Sequence, residues 1–257
     1  MGLNYAVNIP TVGCQILVDW ANTKCYPGSG TTFSNLIDST RNAGYLKGSV
    51  TTSTDPSGNL CLYTPGGGAG TNTVGDRIDI NTSASGIDRF SKSMNFTHLF
   101  WVRRQGGGSK LISTGSSGAT QTDNCIWNMW IDNGQFYWWN SSGGGAENIA
   151  CSFTPCPDTT NWYMVTLTYT HDAINNTAKA YRDGVLQNTN SNDDATHSAI
   201  DRTGQTNMQW TLGGGYSSSC VNVNSAAYFG MYALYNRSIS AAEVFQFYQA
   251  TKGRFGK

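Results

Sequence analysis

An aromatic hairpin offers the most readily recognised chemistry in this sequence. The stretch CIWNMWIDNGQFYWWN, residues 125–140, places Asn133-Gly134 between two strand-like runs, a pair typical of two-residue hairpin turns. Such a turn would set Trp130 opposite Tyr137, and opposed residues share a face. The aromatic face predicted in this way consists of Asn128, Trp130, Tyr137 and Trp139.

Flat aromatic rings with an amide beside them are suited to stacking against sugars. Alternatively, a loop of the chain or a neighbouring subunit covers this face, since aromatic residues are more often buried in contacts than used to bind a ligand. A three-residue turn would shift the register and reassign the faces. The sequence therefore indicates a candidate glycan-binding or protein-contact face and leaves the two readings open.

Groups that could act in catalysis are sparse. The chain has two glutamates, Glu147 and Glu243, far apart in sequence. Its three histidines, His98, His171 and His197, are scattered, so no Ser-His-Asp or Cys-His arrangement can be argued. We expect no catalytic residues and no enzymatic activity.

The cysteines give no sign of a metal site. Seven are present, without a CxxC pair or a Cys/His cluster at zinc spacing, so we expect small buried thiols and no metal ligands. Cys151 and Cys156 bracket a short proline-containing loop and could form a disulfide. The triple glycines fit no phosphate-binding pattern. No cofactor is expected.

Composition favours a β protein. The chain has 257 residues, zero formal net charge, 12% charged residues and 30 glycines. The absence of a basic stripe argues against nucleic acid as a partner, and no apolar stretch is long enough to span a bilayer. The start, MGLNYAVNIP, lacks the features of a secretion signal, so we expect assembly in a host cytoplasm.

Strand-like runs recur along the chain, separated by Gly, Asn, Asp or Ser clusters, as in a sandwich or barrel. In residues 162–170 apolar residues alternate with threonines, which predicts one buried face and one wet face. Asp183-Gly184 predicts a second hairpin. Ser240 and Glu243 form a capping box before a helix near residues 241–251. We predict an N-terminal arm at 1–12, one domain at 13–252 and a C-terminal tail at 253–257.

Several sequence segments follow one another in a recognisable order. A strand ending in Asp, residues 16–19, precedes the loop ANTKCYPGSGTTF at residues 21–33. Further landmarks are FTHLFWV at 96–102, WYMVT at 162–166, KAYRDG at 179–184 and FGMYALYNRSISAAE at 229–243. This ordered set resembles the laminin G-like (LamG) jelly rolls of the concanavalin A-like lectin/glucanase superfamily, in the version common in tailed phages and cyanobacterial genomes.

The resemblance implies an all-β, two-sheet antiparallel jelly-roll sandwich with one short C-terminal helix. It also implies that the loop after the first strand is architectural, pinned by Tyr26, Phe33 and Leu36, with Gly28 and Gly30 giving the backbone its freedom. The sequence departs from the family where a Gly-rich excursion, residues 66–73, precedes Asp76 and Asp79. These two acids are therefore better read as solvated strand-end or turn-capping residues than as calcium ligands, and calcium stays unsupported.

Glucanases on this fold need paired carboxylates in a Glu-x-Asp-x-x-Glu strand motif, which this sequence lacks. The resemblance therefore favours a non-enzymatic phage virion protein, a capsid decoration on the outer surface that binds coat proteins. The alternative is a tail or spike adhesin that binds host-surface glycan. Surface jelly rolls of this type are commonly trimers, so a homo-oligomer is expected as well.

Overall fold

The computed structural model describes residues 8–40, 42–66, 76–80, 95–106, 110–116, 128–132, 135–142, 145–148, 151, 153–171, 175–193, 208–214 and 226–257. Within these residues the chain forms two antiparallel sheets, one helix and one 3-10 turn. None of the helical segments described is long and apolar enough to cross a membrane.

The first sheet contains β1 (Cys14–Asp19), β4 (Thr51–Thr54), β5 (Leu60–Thr64), β7 (Phe96–Gly106), β12 (Tyr163–His171), β13 (Asn175–Arg182), β14 (Val185–Asp193) and β16 (Ala226–Tyr235). The second contains β2 (Thr32–Ser34), β3 (Asn42–Lys47), β6 (Arg77–Ile80), β8 (Lys110–Ser116), β9 (Asn128–Asp132), β10 (Gln135–Ser142), β11 (Gly145–Asn148) and β15 (Met208–Leu212). Helix α1 (Ala241–Thr251) leads into the 3-10 turn Lys252–Phe255.

The strand order crosses repeatedly between distant parts of the chain. The first sheet runs β14-β13-β12-β7-β16-β5-β4, and β1 also pairs with β16, along its second half. The second sheet runs β11-β10-β9-β8-β15-β6-β3-β2. Consecutive strands thus alternate between sheets in places and form hairpins in others, which confirms the two-sheet jelly-roll sandwich that the sequence predicts.

Alternating side chains of the two sheets form the main core. Val18, Phe100 and Val165 of the first sheet join Ile78 and Trp210 of the second in one buried cluster. Apolar burial of this kind contributes about 25 cal/mol per Å² of area removed from water. It therefore fixes which face of each strand points inward.

A second apolar cluster covers the opposite face of the first sheet, and it corrects one expectation. Thr166 and Thr168, predicted to face water, are buried. Helix α1 and the 3-10 turn lie over that face, where Val244 and Phe255 pack with Met164 of β12. Apolar residues and threonines do alternate along residues 162–170, but helix α1 and the 3-10 turn cover the face that was expected to contact water.

Helix α1 begins where the capping box predicts. The Ser240 hydroxyl accepts from the Glu243 backbone N–H, and the Glu243 carboxylate accepts from the Ser240 N–H at 2.8 Å. Glu243 also accepts from the Arg237 guanidinium. Two of the orphan N–H groups at the start of the helix are satisfied in this way.

The loop after β1 is architectural, as the sequence predicts. Tyr26 and Phe33 are buried, and Leu36 packs against the same core. The Tyr26 hydroxyl donates to the carbonyl of Gly30 at 3.0 Å, across a turn in which Gly28 and Gly30 have φ of 90° and 85°. Positive φ is strained for residues with a Cβ, so glycine is required at both positions.

The chain ends are less free than the predicted arms. Residues 1–7 lie outside those described, but the Pro10 carbonyl accepts from the Tyr235 hydroxyl at 2.8 Å. Arg254 and Phe255 are buried, with Phe255 stacked on Trp101 at 4.3 Å between ring centroids. Arg254 and Phe255 of the predicted tail are therefore packed into the domain, whereas the predicted domain limits stay a prediction.

Candidate binding surfaces

The hairpin of β9 and β10 has the register that the sequence predicts. Opposed pairs are Ile131 with Phe136, Trp130 with Tyr137, Met129 with Trp138, and Asn128 with Trp139. The structure describes only the backbone of these residues, and Asn133-Gly134 lies outside the described residues. The register therefore places Asn128, Trp130, Tyr137 and Trp139 on one face, and their role in binding stays a prediction.

Neighbouring strands extend this face in register. Trp139 pairs with Asn148 of β11, and Asn128 pairs with Ser113 of β8. Trp130 also pairs with Lys110 of β8. The pairing thus places Asn148 and Ser113 at backbone positions next to the predicted aromatic face, and a register shift separates Lys110 from Ile112 in β8.

A second row of planar groups crosses the outer face of the first sheet. Thr51 of β4 pairs with Tyr63 of β5, Tyr63 with Tyr228 of β16, and Tyr228 with Arg103 of β7. The two tyrosine rings lie 4.6 Å apart between centroids, and the Arg103 guanidinium lies 4.2 Å from the Tyr228 centroid. Thr51 is exposed and the other three are half-buried, so solvent reaches this row.

This row was not among the predicted sites. Tyr63 lies in β5 and Arg103 in β7, and the pairing of each with β16 joins segments more than a hundred residues apart. No local pattern encodes such a pairing.

A third surface is apolar. Three of the five exposed large apolar side chains among the described residues are Val185, Leu186 and Phe245, exposed by 58%, 47% and 48%. Phe245 lies beside the β13–β14 turn, since a Cβ on Gly184 would lie 3.1 Å from it. Leu186 pairs with Tyr181 and therefore shares the helix-covered face, whereas Val185 pairs with Arg182 on the other face of the sheet. The hairpin turn has φ of 51° at Asp183 and 80° at Gly184, which confirms the predicted Asp-Gly turn.

The two glutamates lie in different parts of the fold. Glu243 caps helix α1 over the first sheet, and Glu147 lies in β11 of the second sheet, opposite Asn140. The hydrogen bonds from Arg237 lower the pKa of Glu243 to about 2. A carboxyl with so low a pKa stays ionised at neutral pH and cannot act as a general acid there.

Asp76 and Asp79 differ from each other in the structure. The Asp76 carboxylate accepts from the backbone N–H of Ser49, a turn-capping role as expected. Asp79 is buried and paired with Arg77 at 2.6 Å, so the expectation of a solvated acid is wrong for it. Burial raises the pKa of Asp79, against the lowering effect of Arg77. Most of the Gly-rich excursion lies outside the described residues.

The described cysteines are buried and free, as expected of structural thiols. Cys151 and Cys156 do not form the disulfide that their spacing allows. Burial raises the pKa of the Cys156 thiol to about 12. His98 is also buried, 2.8 Å from the Tyr232 hydroxyl, and burial lowers its pKa to about 3. Cys125, Cys220 and His197 lie outside the described residues.

Comparison with known families identifies the class of protein. A family model of the concanavalin A-like lectin/glucanases superfamily, of the laminin G type, matches residues 72–245. The chain therefore belongs to this superfamily, which confirms the superfamily and the laminin G type drawn from the sequence. The likeness to the version found in phages stays a prediction. No curated protein matches the chain in sequence.

Solved structures share the fold at low sequence identity. A sialidase of Trypanosoma rangeli aligns with a TM-score of 0.61 and 16% identity over 97% of this chain and 34% of its own. The binding domain of Paraclostridial mosquitocidal protein 1 aligns at 0.59 and 14%, over 93% of this chain and 52% of its own. The receptor-binding domain of botulinum neurotoxin type G aligns at 0.55 and 13%, over 92% and 51%.

This chain thus spans about a third of the sialidase and about half of each toxin domain. At such identities the likeness concerns the fold alone. The fold is thus shared by a sialidase and by two toxin binding domains, so any function must be argued from the surfaces of this chain.

Proposed function

We propose that this chain is a non-enzymatic protein of a phage virion, held on the outer capsid surface by contacts to coat proteins. The observation that carries the proposal is the exposure of two large apolar side chains, Leu186 and Phe245, on the side of the first sheet that helix α1 covers. Clustered large apolar side chains at a surface mark protein contacts. The likeness of the sequence to LamG jelly rolls of phages supplies the virion setting.

The proposed role includes no catalytic step. Glycoside hydrolysis on this fold needs two carboxyl groups across the scissile bond. Glu243 is committed to the helix cap and to Arg237, and Glu147 lies on the other sheet. A coat-binding role needs no such pair, and neither a cofactor nor a metal takes part in it.

The capsid contact is tested with variants of the apolar surface. Leu186→Ser with Phe245→Ser should weaken binding of the purified chain to empty capsids about tenfold or more, because buried apolar anchors dominate protein interfaces. Ile37→Ser is the matched control, since Ile37 is 41% exposed in the loop before β3. Equal binding of the double variant and the wild type would refute the contact.

The second candidate function is that of a tail or spike adhesin that binds host-surface glycan. The register of β9 and β10, which groups Trp130, Tyr137 and Trp139 with amide-bearing positions, favours it. The likeness to toxin binding domains agrees with it. An adhesin would occur in few copies per particle, and Trp139→Ala would abolish its glycan binding.

Oligomerisation belongs to the same proposal. A trimer on the capsid would match the expectation for surface jelly rolls. Light scattering on the purified chain measures this directly, with a mass three times the 27.8 kDa of the chain as the expected result. A measured mass of one chain at micromolar concentration would contradict the trimer. The proposed capsid contact would then still be tested by the variants above.

A further inference from the structure

Residues 8–12 form a strap across the end of β16 and the start of helix α1. Three carbonyls of the strap accept hydrogen bonds from side chains of residues 235–246: Asn8 from Gln246 Nε2 at 2.6 Å, Pro10 from the Tyr235 hydroxyl at 2.8 Å, and Val12 from Arg237 Nε at 2.9 Å. Successive residues of an extended chain point to opposite sides, so every second carbonyl meets the same surface. The strap therefore lies on this surface as an extended peptide lies in a groove.

The groove that holds the strap consists of Tyr235, Arg237 and Gln246 with the apolar surface between them. The Arg237 guanidinium donates to the Glu243 carboxylate, which also caps helix α1, so the direction of this donor is fixed by the body of the protein. Between the hydrogen-bonded carbonyls, Ile9 packs against the apolar cluster on the helix-covered face. Fixed donors beside an apolar site are what an extended peptide needs for binding.

The strap is joined to the rest of the chain by a single turn. Within the described residues it pairs with no strand, and β1 begins only at Cys14. In the turn the Cys14 N–H donates to the Thr11 carbonyl at 3.0 Å, and Gly13 has φ of 75°. Opening this turn would therefore lift the strap from its own groove without breaking any strand pairing.

We infer that the groove of Tyr235, Arg237 and Gln246 takes residues 8–12 of a neighbouring copy, so that exchange of straps joins the chains of the oligomer. The observed contacts between strap and groove are the same whichever chain supplies the strap, which makes such an exchange a low-cost route to an oligomer. A head-to-tail exchange can close into a ring, as a trimer requires. Strap exchange rests on the oligomer of the proposed function and is independent of the capsid contact.

Crosslinking between two variants, each with one added cysteine, tests the exchange. Asn8→Cys and Gln246→Cys chains are co-expressed so that mixed oligomers form, and are then treated with a short bismaleimide. A crosslink between positions 8 and 246 in this mixture must join two chains, and peptide mass spectrometry identifies it. Asn8→Cys with Thr189→Cys is the matched control, since Thr189 is exposed in β14, at the far edge of the first sheet from β16, and should give no such product.

Two substitutions in this segment should change the crosslinked fraction in opposite directions. Gly13→Val should raise it about twofold or more, because the closed turn needs a positive φ that valine adopts only with strain. Ile9→Asp should lower it about tenfold, because it places a carboxylate against the apolar cluster. Light scattering on the same proteins, without added cysteines, should show the mass rising and falling accordingly.

The double variant Asn8→Cys with Gln246→Cys supplies the contrary case. Crosslinking of this variant only within single chains, with no product from the mixed single variants, would overturn strap exchange. A mass of one chain for both wild type and Gly13→Val would overturn it as well. Neither result affects the capsid contact, which depends on Leu186 and Phe245. Conversely, crosslinks between chains with unchanged capsid binding of Leu186→Ser with Phe245→Ser would support the exchange and refute that contact.

Discussion

Arg254 in the C-terminal 3-10 turn donates from Nε to the Oδ2 atom of Asp55 at 2.5 Å. Its Nη1 donates to Asp19 at the end of β1, so one buried guanidinium joins two buried carboxylates. Asp55 also accepts backbone N–H groups of the turn between β4 and β5, at Ser57 and Asn59. Arg254 thereby links the C-terminal 3-10 turn, on the helix-covered face, to β1 and to the turn between β4 and β5.

Removing this cation should be costly. We expect Arg254→Met to lower the free energy of unfolding by about 3–5 kcal/mol, because two carboxylates would remain buried without their cation. Urea unfolding followed by tryptophan fluorescence measures the change. Arg237→Met is the control, since the Arg237–Glu243 pair is only partly buried and its loss should cost about 1 kcal/mol. Equal costs for the two variants would contradict the role assigned to burial.

His98 should make stability depend on pH. Its pKa is about 3 in the folded protein because it is buried, against an ordinary value of 6.5. Between these values the unfolded chain binds a proton that the folded chain does not, so stability falls as pH falls from 6.5 towards 3. The slope from this one group is at most about 1.4 kcal/mol per pH unit.

The measurement compares wild type with His98→Gln in urea unfolding from pH 7 to pH 4. The two proteins share every other titrating group, so the difference in slope reports His98. Wild type should lose stability more steeply as the pH falls. Parallel profiles would show that His98 is not held neutral by the core.

Gly44 should tolerate no side chain. A Cβ at this position in β3 would collide with the Asp79 carbonyl oxygen and with the Phe33 ring. Gly44→Ala should therefore destabilise the fold by about 2–4 kcal/mol, through displacement of β6 or of the loop after β1. A Cβ at Gly253 meets nothing within 4 Å, so Gly253→Ala should be close to neutral. Thermal unfolding of both variants decides the point.

The thiols should be unreactive in the native protein. Cys14, Cys25 and Cys61 are buried, and burial raises the pKa of each to about 12. Because only the thiolate reacts quickly, iodoacetamide at pH 8 should leave them unlabelled until the chain unfolds. Cys151 and Cys156 should behave alike, and peptide mass spectrometry identifies each site. Rapid native labelling of any of these five would contradict the packing.

Local sequence patterns were enough for the helix and the hairpins. The capping box at Ser240 predicted the start of α1, Asp183-Gly184 predicted a hairpin, and Asn133-Gly134 predicted a hairpin with its register, because each signal acts within a few residues. The strands β2, β3, β4 and β11 were not predicted. Asn42–Lys47 and Thr51–Thr54 lack apolar alternation, and only their pairing with β6 and β5 makes them strands.

Long-range packing accounts for what the sequence did not reveal. The burial of Thr166 follows from a helix that comes some 75 residues later in the chain, and the burial of Asp79 follows from Arg77 and the strands beside it. The stack of Tyr63, Tyr228 and Arg103 likewise exists only once β5, β16 and β7 pair. Such contacts depend on topology, which local periodicity does not specify.

The copy number of this chain in purified phage particles tests the central claim most directly. Quantitative mass spectrometry against the major coat protein should find hundreds of copies per particle if the chain decorates the capsid through Leu186 and Phe245. Absence of the chain from particles would contradict a virion role. A few copies per particle, located at the tail, would contradict the capsid decoration and favour the adhesin.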